Sequence, residues 1–313
     1  MSKENISQNL IIVTPVYEDV VSFSKLLENL KQHHTDKFYV VAVDDGSVNQ
    51  PVKSSFLRDH GVEGVVISLK ANLGHQRAIA VGLNYLNDRV NNKNAKVVIM
   101  DSDGEDKPES IQDLLMMIDE PKTDVVVAKR LKREETMTFK LFYVIYKIIF
   151  RFLTGREINF GNFMVFKQPA LARLVIISEL WTHVAASVLL SKLRIQYTPI
   201  SRGKRYDGQS KMNFSSLVLH GFKALMVFIE DILVRIGISC AIVLGLCFVL
   251  GGVAITLKLI GFATPGWFSV SLGIMVIILL QTGTITLMTL MMTGLLKKNS
   301  VNLVDYSLLI NKD

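Results

Sequence analysis

Four short apolar runs fall in the first hundred residues, each ending in a polar turn, with a helical stretch between one run and the next. The runs are Leu10–Val13, Phe38–Val43, Val65–Ser68 and Val97–Met100. Apolar runs this short, bounded by turn residues, read as buried strands. Between them lie a helix with apolar positions at Phe23, Leu26, Leu27 and Leu30, a helix near Pro51–His60, and a helix running through Gly82 to Leu86. Strand alternating with helix predicts an α/β domain: a mainly parallel sheet with helices on both faces. Val125–Ala128 extends the pattern to a fifth strand. In such sheets ligands bind outside the carboxyl ends of the strands.

The turns at those ends are acidic. Phe38–Val43 ends in Asp44-Asp45-Gly46-Ser47, and Val65–Ser68 is followed by Asn72-Leu73-Gly74-His75-Gln76-Arg77. Val97–Met100 ends in Asp101, Ser102, Asp103, Gly104, Glu105 and Asp106, ahead of Pro108. Carboxylates crowded at a strand end suit Mg²⁺ or Mn²⁺ held together with substrate phosphates; a solvated acidic turn is the bland alternative. Lys129, Arg130, Lys132 and Arg133 follow the fifth strand and either neutralise a diphosphate or form a charged surface loop. The first strand is followed by TPVYED rather than G-x-G-x-x-G, and there is no P-loop. A bound nucleotide must then be held by aspartates and a metal. Among the histidines, His75 lies in a plausible nucleotide loop and His183 on an apolar helix, each more simply structural, while His220 has no partner in sequence.

Half of the residues are hydrophobic, and the excess is concentrated late in the chain. Ile236–Leu257 and Phe268–Leu296 are uncharged runs of about 22 and about 29 residues, each long enough to cross a ~30 Å hydrocarbon core. Phe139–Leu153, with Lys140, Lys147 and Arg151, reads as an amphipathic helix lying in the membrane interface, and Leu217–Leu233 as a second. The expected division is a catalytic domain over 1–215, with its interface helix at about 136–154, and a membrane part over 216–313. No signal peptide is visible. Lys223, Arg235, Lys297 and Lys298 flank the spans on one side against Lys258 alone in the loop, which predicts a multi-pass protein of the cytoplasmic (inner) membrane with both termini in the cytoplasm. The net charge of +7 suits an anionic leaflet, and no nucleic-acid motif accompanies it. Cys240 and Cys247 lie inside the first span with no histidine nearby to complete a metal site. Two helices make a small membrane domain, so a homo-oligomer is a reasonable expectation.

Together these stretches resemble the family 2 glycosyltransferases of GT-A fold. Within them they resemble the polyprenyl-phosphate glycosyltransferases typified by dolichol-phosphate mannose synthase and bactoprenol glucosyltransferase. The resemblance rests on Pro15-Val16-Tyr17-Glu18-Asp19 for P-x-Y-N-E, Val43–Ser47 for V-D-D-G-S, Asn72–Gly82 for the N-x-G sequence, and Asp101–Glu109 for D-A-D-L-Q-x-P-P-E. It extends to Ala128–Arg133, similar to G-S-R-x-x-R, and to Arg205–Lys211, which matches R-x-x-G-x-S-K in full.

The resemblance implies a nucleotide-binding set of Pro15, Tyr17, Asp19, Asp45, Asp101, Arg130 and Arg133, with the first four on base and ribose. It implies a divalent metal, Mg²⁺ or Mn²⁺, on Asp103 and Glu105, the latter standing where the family usually has Gln. Asp101, Asp103, Arg205 and Lys211 would act on the diphosphate and acceptor phosphate, and Asn162 occupies the position of a G-D-F aspartate. The implied partners are a nucleotide sugar, a polyprenyl phosphate and the membrane. UDP-glucose, another UDP-sugar and GDP-mannose all remain open as donors. A processive polysaccharide synthase should carry Q-x-x-R-W, which is absent; a binding protein that has lost catalysis should have a broken acidic site, whereas Asp45, Asp101, Asp103 and Arg205 all stand.

Overall fold

A computed structural model describes residues 6–34, 37–130, 137–207, 214–262, 266–299 and 304–311. A seven-stranded sheet carries the first part of the chain: β1 (Leu10–Val16), β2 (Phe38–Asp44), β3 (Glu63–Ser68), β4 (Lys96–Ile99), β5 (Val125–Arg130), β6 (Phe160–Lys167) and β7 (Ile195–Ile200), in the order β3-β2-β1-β4-β6-β5-β7. β1 to β4 are mutually parallel, as strands joined by helical crossovers must be. β6 is antiparallel to both β4 and β5, and β7 runs parallel to β5.

Alternation along β1 divides the core. Ile11 and Val13 face one layer, with α3 (His75–Asn87), α6 (Gln168–Val175) and α7 (Val184–Leu190); Leu10, Ile12 and Val16 face the other, with α1 (Val20–His33) and α4 (Ile111–Ile118). β1 and β2 are buried along their whole length, which is why they read as continuous apolar runs.

Three local readings change. The helix expected at 51–60 shrinks to α2 (Phe56–Asp59), because the Val52 N–H donates to the Asp44 carboxylate instead of opening a helical turn. The fifth strand runs on through Lys129 and Arg130, so Arg130 is the last residue of the strand, paired with Ile200 of β7. β6 and β7 were not foreseen. β6 inserts antiparallel between β4 and β5, bringing its N-terminal end beside their carboxyl ends, and two extra residues opposite Ala128 form a bulge at 161–163.

The chain divides into two units. The first holds the sheet, residues up to 148, 157–227 and the C-terminal segment from 303. The long helix α5 (Met137–Thr154) begins in this unit, where the Tyr146 hydroxyl donates to the Gly221 carbonyl of α8 (Phe214–Met226) at 3.1 Å. The second unit holds 149–156 and 228–302. Its helices α9 (Ile229–Leu259) and α10 (Trp267–Asn299) pack along each other and are long and apolar enough to cross a membrane. Asp231 lies 3.5 Å from Arg156, while Arg235 donates to the Phe152 carbonyl.

Candidate active site

The acidic strand end is folded back on itself. The Asp101 N–H donates to the Asp106 carboxylate at 2.9 Å, the Glu105 N–H to Asp103 Oδ1 at 2.9 Å, and the Ser102 hydroxyl to the Pro15 carbonyl at 3.0 Å. Gly104 makes the reversal, at φ +90°, with the Tyr206 ring so close that a Cβ would come within 2.8 Å of it. Residues 203–206 run alongside: the Tyr206 N–H donates to the Asp103 carbonyl and the Gly203 N–H to the Glu105 carbonyl.

That pairing delivers two guanidinium groups to the acids. Arg205 Nη2 lies 2.9 Å from Asp103 Oδ2, its Nε donates to Glu105 Oε1 at 3.0 Å, and Arg202 pairs with Glu105 Oε2. Burial, and then the negative charge of Asp101, push the Asp103 carboxyl above its usual range despite Arg205 and Arg202. The site is therefore rich in negative charge that a cation would relieve. Among the described residues no three His, Cys, Asp or Glu side chains converge as a metal cage. The carboxylates of Asp101, Asp103 and Glu105 nevertheless fit a hard divalent cation, which takes one or two protein carboxylates and completes its shell from phosphate oxygens and water. For Asp103 and Glu105 to ligate it, the arginines must turn toward the incoming phosphates.

His75 reaches the same cluster. Its Nε2 lies 2.8 Å from Asp101 Oδ1, and its Nδ1 faces the Gln76 amide nitrogen at 3.3 Å. The Gln76 carbonyl takes the Val184 N–H at 2.7 Å, so the amide nitrogen points at His75 and the imidazole donates from Nε2 to Asp101. Burial opposes charge on His75, but the pull of Asp101, with Asp106 and Asp103 beyond, outweighs it and holds the ring above its ordinary value. N-x-G-H opening a helix after a strand was the only signal for this role, and it does not say which acid the ring meets.

On the β2 side the acids are bound to backbone. Asp45 takes the Leu73 and Gly74 N–H groups at 2.8 and 2.9 Å, Asp44 those of Ser47 and Val52, and Glu18, at φ +47°, those of Val48, Asn49 and Gln50. Burial raises the Asp45 pKa against the lowering effect of its two amide bonds, whereas the amides around Glu18 lower its own. Asp19 caps α1, accepting from the Ser22 N–H at 3.1 Å; Pro15 is buried in β1; Tyr17 is exposed. Asn162 lies in the β6 bulge, whose neighbours Gly161 and Phe163 line a small cleft with Glu105, Asp106 and Arg202. Arg130 ends β5, while Arg133 and Lys211 lie outside the described residues.

His183 and His220 are a second cluster. His183 caps α7 with Nδ1 accepting the Ala186 N–H, and its Nε2 lies 3.1 Å from Nε2 of His220 on α8. With Nδ1 an acceptor, Nε2 carries the proton and donates to His220. Burial and then His220 press the His183 pKa down to about 3.

A family model described as "Glycosyl transferase family 2" matches residues 11–181. No curated protein matches the chain. Among solved structures, glucosyl-3-phosphoglycerate synthase from Mycobacterium tuberculosis, in complex with Mn²⁺, UDP-glucose and phosphoglyceric acid, is 10% identical over 72% of this chain and 80% of its own, with a TM-score of 0.51. S. aureus TarS 1–349 in complex with UDP is 20% identical over 73% of this chain and 65% of its own, with a TM-score of 0.47. The chain spans 59% of another TarS 1–349 structure and 40% of the longer TarS.

Proposed function

The chain belongs to glycosyl transferase family 2, as a nucleotide-sugar glycosyltransferase of GT-A fold, and on that premise we propose that it moves a sugar from a UDP-sugar to a polyprenyl phosphate, with inversion, at the cytoplasmic face of a membrane. The observation that carries the proposal is the Asp101–Asp106 strand end meeting Arg202 and Arg205 at the carboxyl edge of the sheet.

A sugar leaving a nucleoside diphosphate needs the charge growing on the departing phosphate to be neutralised. Arg205 and Arg202 are aimed at that edge and, freed from Asp103 and Glu105, form two-pronged bonds to phosphate oxygens. Asp103 and Glu105, with Asp101 beside them, would hold the Mg²⁺ or Mn²⁺, which when bound supplies Lewis-acid stabilisation of the leaving diphosphate. His75 holds Asp101 in place. Asp45 and Asp44 set the loops for base and ribose, beside Pro15, Tyr17 and Asp19, and Arg130, Arg133 and Lys211 add positive charge for the phosphates of donor and acceptor.

An ionised phosphate acceptor has no proton to lose at neutral pH, so Asn162 in place of an aspartate is compatible with catalysis; it would position sugar or acceptor by hydrogen bonding. The lipid acceptor is supported by α9 and α10, whose apolar side chains stand outward, Phe248 at 72% and Leu280 at 69% exposure. A cytoplasmic C-terminus is supported by residues 304–311, which bond to the sheet unit after both apolar helices have passed, as an even number of crossings requires.

The test is to incubate the purified protein in detergent with Mn²⁺, undecaprenyl phosphate and radiolabelled UDP-glucose, UDP-GlcNAc or GDP-mannose, then extract and identify the glycolipid. Label in a monophosphate-linked lipid is the expected result. Transfer from GDP-mannose alone would correct the donor, and transfer only to hydroxyl acceptors would overturn the lipid-phosphate reading.

A further inference from the structure

Residues 304–311 are separated from α10 by 300–303 alone, yet they fold onto the sheet unit. Ile310 pairs antiparallel with Leu69, just past the end of the edge strand β3, and is buried in the core. The pair is framed by two backbone bonds, Lys70 N–H to the Leu309 carbonyl at 3.0 Å and Asn311 N–H to the Ser68 carbonyl at 2.9 Å. Further back, Tyr306 donates from its hydroxyl to Asp88 Oδ2 at 2.5 Å and accepts from Arg89 Nη1 at 3.1 Å.

These contacts fall at the two ends of one segment. Ser68–Lys70 leads into the loop 71–74, and Asp88 and Arg89 follow α3, whose first residues are His75 and Gln76. The loop is held to the site by Asp45 and lies against Gly46, where a Cβ would come 2.5 Å from the Ala71 carbonyl carbon. Asn311 also lines, with Gly46, Ser47, Lys53 and Ser68, a groove of about 470 Å³.

We propose that this C-terminal strap is a positioning element for the nucleotide-sugar site, with Ile310 and Tyr306 as its positioning residues, a role that rests on the donor reading above. A loop anchored at both ends before the donor arrives loses less conformational freedom when it binds. Releasing the strap should weaken donor binding and leave the chemical step, carried by residues 101–106 and 202–205, nearly as fast once donor saturates.

The test uses the full chain in detergent, a deletion of 303–313 and Tyr306→Phe, each titrated with UDP and with GDP in the presence of Mn²⁺ and assayed for the KM and kcat of the donor that the parent uses. The deletion is expected to raise Kd and KM about 10-fold and Tyr306→Phe about 5-fold, with kcat changed less than about 3-fold. If the deletion does not melt cooperatively, Tyr306→Phe decides. Unchanged Kd and KM in a folded variant, or a loss confined to kcat, would overturn the strap proposal while leaving the donor reading intact. A parent that binds neither nucleotide would overturn the donor reading and the strap with it.

Discussion

On the β2–β3 side of the carboxyl edge, Asp44, Asp45 and Glu18 each accept backbone N–H groups, whereas at the end of β4 the free oxygens of Asp103 and Glu105 are met by Arg202 and Arg205 from a distant segment. Backbone amides cannot leave without unfolding the loop that carries them. Long guanidinium side chains can be exchanged for a cation or redirected to a phosphate. The first set of acids is thus committed to architecture and the second is available for chemistry, although both look alike as acidic turns after strands. The contrast predicts different phenotypes for equally small changes.

The largest effect belongs to the exchangeable set. Asp103→Asn should lower turnover about 10³-fold, by weakening the metal and the hold on Arg205, with thermal stability unchanged or higher because a half-buried carboxylate repelled by Asp101 is removed. Chelation should abolish activity in the parent, and Mn²⁺ should restore it. Full activity in chelator would end the metal assignment; a large loss of stability would erase the contrast.

Asp45→Asn should behave in the opposite sense. Asn offers one acceptor to two N–H donors and turns its own NH₂ toward one of them, a cost of about 1–3 kcal/mol in a buried site, visible as a lower melting temperature and a raised donor KM. A variant with normal stability and KM but slow turnover would place Asp45 with the chemical set.

The histidine pair lets the architectural side be tested by pH. His183 titrates near 3 when folded and near 6.5 when unfolded, so the unfolded chain binds the extra proton between those values and stability falls as pH drops through that window. At pH 5 the loss is about 2 kcal/mol. His183→Asn keeps a capping side chain for α7 and should flatten the melting temperature between pH 6.5 and 5. An unchanged slope would mean that other groups set the acid sensitivity.

The smallest effect concerns Asn162. If the acceptor arrives ionised, Asn162→Asp should change turnover no more than a few-fold at pH 7.5. A large gain with a new ionisation in the pH profile would show that a proton must move and that the acceptor is a hydroxyl.

What the sequence determined by itself was local and periodic. The apolar runs at Leu10, Phe38, Val65 and Val97, the helical spacing of Phe23, Leu26, Leu27 and Leu30, the acids at the strand ends and the two uncharged C-terminal runs follow from neighbours a few residues apart, and the structure has them as strands, helices and edge turns. Tertiary structure alone decided which like-looking acids meet cations and which meet amides. Arg202 and Arg205 reach Glu105 and Asp103 across about a hundred residues, His75 reaches Asp101, His183 finds His220, and Ile310 returns to Leu69. Insertion of β6 between β4 and β5 was hidden for the same reason: buried β-strands of either direction are apolar runs, and direction is set by which partner closes the sheet rather than by composition.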